Sequence, residues 1–344
     1  MKTLRVGIIG TGGIAQTHLE GYTHTEGIEL VAACDVREAA ARDTAQKWNI
    51  PRVYADYRKM LKEQELDLVS VCTPNAFHMA PTIAALRAGV NVLCEKPIAM
   101  NAREGAAMCA AAKRARRRLM IGLNSRFVPG NQALKKFIVG GELGKVYYAR
   151  VQALRRRGVP GWGVFIRKDM SGGGPLIDIG VHQLDLALWL MGHPEPVSVT
   201  GNAYCVFGKR KNIFAPWGEW DPRKYTVEDM AAGFVRFRNG ATLTLEASWA
   251  AHIEHDVWTI SLLGTEGGAT TAPLRIFKEK QKTLLDVSPV QVPDAKSHTE
   301  EIRAYARAIR TGAAAPVPGE QALMVTRILD GLYQSAKTGR EVRL

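Results

Sequence analysis

From Leu4 to about Leu123, short runs of apolar and β-branched residues alternate with longer stretches rich in alanine and charge. Apolar runs without polar alternation mark strands buried on both faces, and the helical text between them supplies the cover, so the pattern predicts a parallel sheet with crossover helices. The strands read Leu4 to Ile9, Leu30 to Cys34, Leu68 to Cys72, Val90 to Cys94 and Leu119 to Leu123. Pro81 to Ala88 and Ala102 to Ala115 hold the good helix formers expected between them. Together they predict a doubly wound domain over residues 1–123.

After Arg126 the strands lengthen and the helices thin out: Lys145 to Leu154, Val197 to Val206, Met230 to Phe237, Ala241 to Ala250 and Asp256 to Leu263. Asn239-Gly240 between two of these runs is a tight-hairpin signal, so residues 124–344 are expected to form an α/β domain with a large, mostly antiparallel open sheet. Two helices, Thr299 to Arg310 and Glu320 to Ala336, follow, and a C-terminal helix packing back on the first domain fits this order.

A chain of 344 residues with 46% hydrophobic and 23% charged positions is an ordinary globular composition, long enough for two cores. No apolar run nears the roughly 20 residues that cross a bilayer, and Met1 to Gly10 lacks a secretory h-region, so a cytoplasmic protein without a membrane partner is expected. The five cysteines are odd in number and never spaced C-x-x-C, which predicts reduced, buried thiols and no metal site. The net charge of +13 falls in small clusters such as Lys113 to Arg118 and Arg155 to Arg157, without nucleic-acid-reading motifs. A solvated basic surface that attracts an anionic cofactor is the expectation, rather than a nucleic-acid partner.

Gly10-Thr11-Gly12-Gly13-Ile14-Ala15 follows the first strand and fits G-x-G-x-x-A. Gly10 permits the turn, Gly12 lets the backbone approach a pyrophosphate, and Ala15 lets the helix pack closely, while Gly13 and Ile14 begin the helix whose free N–H groups face the phosphates. The second strand ends at Asp35, where a carboxylate can bind the adenosine ribose and repel a 2′-phosphate. NAD is therefore expected over NADP, with Arg37 nearby to soften the preference. Two further strand ends carry polar text, Thr73-Pro74-Asn75-Ala76-Phe77-His78 and Glu95-Lys96-Pro97, at the edge where a doubly wound sheet holds its ligand. Thr73, Asn75, His78, Glu95 and Lys96 are accordingly cofactor-site candidates. In the second half, Gly172-Gly173-Gly174 leads into Asp178 and His182, which at i and i+4 share a helix face. A carboxylate beside an imidazole suits proton transfer, although Asp185 competes for that role and a capped helix start with a satisfied histidine reads equally well.

The motifs Gly10 to Ala15, Thr73 to His78, Glu95-Lys96-Pro97 and Gly174 to His182 together resemble the Gfo/Idh/MocA oxidoreductase family along essentially the whole chain. The resemblance implies an N-terminal Rossmann domain and a C-terminal substrate-binding and oligomerisation domain whose sheet builds a homodimer or homotetramer. It implies NAD-dependent hydride transfer to or from a sugar or cyclitol, with Lys96, Asp178 and His182 as catalytic residues. His182 and Asp178 would also touch the substrate, joined by Asn124 and Arg126 after the last Rossmann strand. Trp162, in a Gly/Pro-rich loop, suits either a sugar ring or a neighbouring subunit, and the aromatic segment Asn212 to Trp220 is a substrate wall or an oligomer contact. Two other functions fit the same motifs: a glycoside-cleaving enzyme that recycles NAD through a transient keto-sugar, and a catalytically silent NAD- and sugar-sensing regulator.

Overall fold

A computed structural model describes residues 2–344. Residues up to Phe127 form one compact unit together with Ala295–Leu323, and Val128–Asp294 form the other together with Met324–Leu344. The expected division at 123/124 assigned residues 295–323 to the second domain while letting a C-terminal helix pack back on the first, and by contacts Ala295–Leu323 group with the first unit. The reason is side-chain chemistry on the helix Ser297–Thr311, whose buried face includes Ile302, Tyr305 and Ala306. The Tyr305 hydroxyl lies 3.0 Å from the Val92 carbonyl and 2.8 Å from that of Arg118, and Arg310 donates to the Gly27 carbonyl.

The first unit holds strands β1 (Leu4–Ile9), β2 (Ile28–Cys34), β3 (Arg52–Tyr54), β4 (Leu68–Val71), β5 (Asn91–Glu95) and β6 (Leu119–Gly122). All are parallel, in the order β3-β2-β1-β4-β5-β6. The chain reverses direction across the sheet between β1 and β4, so the carboxyl ends of β1, β2, β4 and β5 meet at the switch point. Val6, Ile8, Val69, Val71, Val92 and Leu93 are fully buried, which is what double cover by helices requires of uninterrupted apolar runs.

The second unit holds β7 (Val146–Leu154), β8 (Pro196–Tyr204), β9 (Met230–Phe237), β10 (Thr242–Ser248), β11 (Val257–Gly264), β12 (Gly268–Thr271), β13 (Leu274–Lys280), β14 (Thr283–Val287) and β15 (Val342–Arg343). They form one nine-stranded sheet, ordered β14-β13-β12-β11-β7-β10-β9-β8-β15, antiparallel except for the pair β7 and β10. The hairpin expected at Asn239-Gly240 joins β9 to β10, with Gly240 at φ +85°. Ala149, Val151 and Ala153 alternate with Tyr148, Arg150 and Gln152 along β7, the first set buried and the second partly exposed. On that second face the Tyr148 hydroxyl bonds to Thr244 at 2.9 Å and Gln152 donates to Glu246 at 2.8 Å. Among the described residues no helix is long and apolar enough to cross a membrane. The cysteines are all free; four are buried and Cys205, just past β8, is exposed, contrary to the expectation of burial throughout.

Candidate active site

At the switch point the glycine turn is built around one close contact. Gly10 has φ +86°, and a Cβ there would lie 2.7 Å from the Cys72 carbonyl oxygen at the end of β4. Only glycine meets both conditions. Gly12 and Gly13 have nothing within 4 Å of an ideal Cβ position, and the helix Gly13–Thr23 has no side-chain cap at its start. No side chain thus occupies the positive end of this helix, the Ala15 N–H already turns back to the Gly12 carbonyl at 3.1 Å, and Ala15, fully buried, seats the helix on the sheet. The residues present fit a dinucleotide pyrophosphate.

Asp35 ends the second strand and accepts from the Thr11 backbone N–H at 2.9 Å, from the Thr11 hydroxyl at 3.1 Å and from the Arg37 N–H at 2.9 Å. It thus fixes the turn while keeping lone pairs for a ribose. Arg37 is exposed, its Nε 3.9 Å from Asp35. Replacing Asp35 by alanine is expected to raise the NAD dissociation constant about 10- to 100-fold, the effect of losing one or two hydrogen bonds to a charged acceptor, and to narrow the NAD/NADP ratio. Titration of both cofactors by fluorescence checks this; an unchanged ratio removes Asp35 from cofactor selection.

The neighbouring strand ends divide into groups that face a ligand site and groups the protein uses itself. Thr73 donates to the Phe77 carbonyl at 3.0 Å, closing the short turn that begins at Asn75. His78, expected to contact the cofactor, is fully buried instead, with Nδ1 2.7 Å from the Pro97 carbonyl and Nε2 2.9 Å from the Thr73 carbonyl. Burial pushes its imidazole below the usual value, and the ring ties the two strand-end loops together. Glu95 is likewise turned inward, its Oε1 2.8 Å from His18 Nε2 and its Oε2 accepting from the Lys96 N–H at 3.1 Å. A carboxylate with both oxygens held by protein donors at 5% exposure is not placed to bind a cofactor. Arg126, expected at the substrate, is 2% exposed and donates to Gln321 at 2.5 Å. Asn124 donates to Ser297 at 2.9 Å and lies 3.3 Å from His298 Nδ1. The partners of both come from residues 295–323, whose return to this unit the local pattern around 124–126 does not reveal.

In the second unit, Asp178 stands in a π-helical turn, Leu176–Gly180, that runs into the helix Val181–Leu190 with His182 in its first turn. Such turns concentrate at functional sites because they re-aim side chains within a helix. The turn is pinned by Glu228, whose carboxylate accepts from Gly174 N at 2.9 Å, Leu176 N at 3.2 Å and the Tyr333 hydroxyl at 2.8 Å. Gly174 is required there, since a Cβ would sit 2.0 Å from the Glu228 carbonyl oxygen. Asp178 Oδ2 accepts from the indole N–H of Trp249 at 3.1 Å, and Trp249 is itself fully buried. Asp185, the competing carboxylate, is fully buried, whereas Asp178 is only partly so.

Trp162 is 54% exposed, stacks on Trp217 at 6.1 Å and 28°, and meets Phe165 edge-on. The Arg155 guanidinium covers Trp217 at 4.3 Å and feels the charge of Asp178. The segment Asn212 to Trp220 is anchored by Trp220, which donates to the Gly208 carbonyl at 2.7 Å, and by Ile213 against the apolar cluster around Trp249.

The model of the oxidoreductase family with an NAD-binding Rossmann fold matches residues 4–123, and that of the family's C-terminal alpha/beta domain matches residues 135–344. The chain belongs to the Gfo/Idh/MocA oxidoreductase family. A D-glucoside 3-dehydrogenase of Escherichia coli (strain K12) is 38% identical over 99% of this chain and 97% of its own length. Among solved structures, an oxidoreductase domain protein from Kribbella flavida superposes with a TM-score of 0.88 at 26% identity, covering 100% of this chain and 99% of that one. An aldose-aldose oxidoreductase from Caulobacter crescentus, solved with glycerol, gives 0.83 at 27% identity with 100% of both chains covered. Within this Gfo/Idh/MocA chain, Glu228, Trp249 and His18 hold candidate-site residues in place and are not indicated by the motifs alone, whereas Trp217 belongs to the aromatic segment Asn212 to Trp220 that the sequence already marks. The signal for His18 was available: it breaks the apolar face Ala15, Leu19, Tyr22 of the glycine-turn helix, where a lone polar residue needs a buried partner.

Proposed function

We propose that the protein oxidises a secondary hydroxyl of a sugar, with D-glucosides as the leading substrate class, and passes the hydride to NAD in preference to NADP. The observation that carries this reading is the presence of Lys96, Asp178 and His182, together with an open glycine turn and Asp35, in a chain 38% identical to a D-glucoside 3-dehydrogenase. An alcohol gives up hydride poorly while its O–H stays protonated. His182 takes that proton, Asp178 holds the imidazole in orientation, and Lys96 hydrogen-bonds to the oxygen and stabilises its developing negative charge. Bound NAD supplies the hydride acceptor at nicotinamide C4, so the carbinol carbon loses a hydride with its electron pair while the oxygen loses a proton. The stacked Trp162 and Trp217 offer an apolar face to the C–H side of a sugar ring. We further propose a cytoplasmic homodimer or homotetramer formed through the nine-stranded sheet, a reading supported by the partly exposed Tyr148, Arg150 and Gln152 row of β7.

The test mixes purified protein and NAD with methyl D-glucosides, free aldoses, inositols and sugar acids, and follows NADH absorbance alongside product analysis. A keto-glycoside formed in step with NADH is the expected outcome. Glycosidic cleavage without net NADH would instead mean that NAD is recycled, and NAD binding without turnover on any substrate would mean a sensor.

A further inference from the structure

Beneath the backbone of Lys96 runs a chain of buried polar groups that the hydride transfer itself does not use. His18 is fully buried in the middle of the helix Gly13–Thr23, with Nε2 on Glu95 at 2.8 Å and Nδ1 on the Ser70 hydroxyl at 3.1 Å. Ser70, fully buried in β4, bonds in turn to the Tyr22 hydroxyl at 2.7 Å. Glu95 ends β5, and its second oxygen takes the N–H of Lys96 at 3.1 Å. Gly122 of β6 closes over the carboxylate so tightly that a Cβ there would lie 2.8 Å from Oε1.

We propose that His18 and Glu95 are positioning residues that fix Lys96 to the helix whose N-terminus cradles the cofactor phosphates. The inference rests on the reading of Lys96 as a residue of the hydride transfer. Its physical basis is that a loop lysine set by ordinary strand-end contacts has several conformers, whereas a charged hydrogen bond in a dry interior holds one. Displacements of about 1 Å at a group that stabilises a transition state cost about 100-fold in rate. With Ser70 the pair forms a network across three elements: the phosphate-binding helix through His18, β4 through Ser70 and β5 through Glu95. Docking of the dinucleotide on the helix and placement of the Lys96 backbone are thereby parts of one rigid assembly.

The charges agree with this geometry. Burial on its own would raise the Glu95 carboxyl, but the hydrogen bond and charge of His18, with Lys96 and His298 nearby, hold it down to about 2. Burial would lower His18, yet Cys72 and Glu95 lift it well above its ordinary value. Both directions favour opposite charges facing each other, and removing either member leaves the other buried without its partner.

The test compares His18→Gln, Glu95→Gln, Lys96→Ala and the double variant Glu95→Gln/Lys96→Ala in the full-length protein, with a methyl D-glucoside and NAD as substrates. Circular dichroism and NADH fluorescence verify that each variant is folded and binds cofactor. Expected are a 10- to 100-fold fall in kcat for His18→Gln and for Glu95→Gln, a change under threefold in sugar KM, and an NADH Kd within twofold of wild type. In the Lys96→Ala background, Glu95→Gln is expected to cost less than twofold more, since it acts through the missing side chain. Losses that multiply in the double variant overturn the proposal. So does a Glu95→Gln enzyme with wild-type kcat while Lys96→Ala is impaired. Wild-type turnover in Lys96→Ala would instead overturn the role of Lys96 itself. If Glu95→Gln does not fold, Ser70→Ala, which removes the Nδ1 partner of His18 together with that of the Tyr22 hydroxyl, carries the same cycle with an expected three- to tenfold loss, with Tyr22→Phe as the control for the second bond, and silence of Ser70→Ala counts against the proposal.

Discussion

His182→Ala is expected to lower kcat about 10²- to 10⁴-fold, the range found when a general base is removed, with the NADH Kd unchanged. The large effect on rate follows from the role proposed for the imidazole: without a proton acceptor the alcohol must lose hydride while still protonated. The small effect on binding follows from the division of labour proposed, in which the glycine turn and Asp35, and not His182, hold the dinucleotide. Collapse of the turn that carries Asp178 is not expected, because Glu228 holds its N–H groups and Trp249 holds the Asp178 carboxylate independently of His182. Initial rates of NADH formation give the first number and fluorescence titration the second. A variant with wild-type kcat would remove His182 from the chemistry.

Gly10→Ala is expected to be nearly as damaging by the opposite route, with cofactor binding lost and stability reduced. A residue with a side chain at φ +86° costs about 1–3 kcal/mol in backbone strain, and the new methyl meets the Cys72 carbonyl at 2.7 Å. Relief of that clash moves the turn away from β4 and carries the N–H groups after Gly12 with it. Each charge-assisted hydrogen bond lost to a phosphate weakens binding by about 10- to 100-fold. Calorimetric titration with NADH and a thermal melt measure the two effects. Gly12→Ala supplies the contrast in the melt: its Cβ meets nothing within 4 Å, so unfolding is expected to be near wild type. Equal melting losses in the two variants would contradict the contact with Cys72 as the cause.

How much of this was legible beforehand follows from how local each determinant is. The first sheet was readable because strands such as Val69 to Val71 are buried on both faces and show uninterrupted apolar text. β3 was not, being three residues long with only Tyr54 buried. In the second sheet the strands from β7 to β11 announce themselves by alternation and by Asn239-Gly240. β14, Thr283–Val287, is exposed at every position, so no burial pattern marks it in the sequence. The site divides the same way. Gly10, Gly12 and Asp35 are fixed by rules of backbone and charge that act within one strand-turn-helix-strand unit. His78, Glu95 and Arg126 looked like ligand-facing groups because their partners, the Pro97 carbonyl, His18 and Gln321, lie 19, 77 and 195 residues away.

The return of Ala295–Leu323 to the first unit has a consequence for synthesis. Tyr305 emerges from the ribosome about 180 residues after Gly122 completes β6, a delay on the order of 10–40 s at ordinary elongation rates. Until then the carbonyls of Val92 and Arg118 lack their phenolic donor, and the surface that Ile302 later covers stays wet. The nascent six-stranded sheet therefore waits, half-finished, for a helix synthesised about 180 residues later.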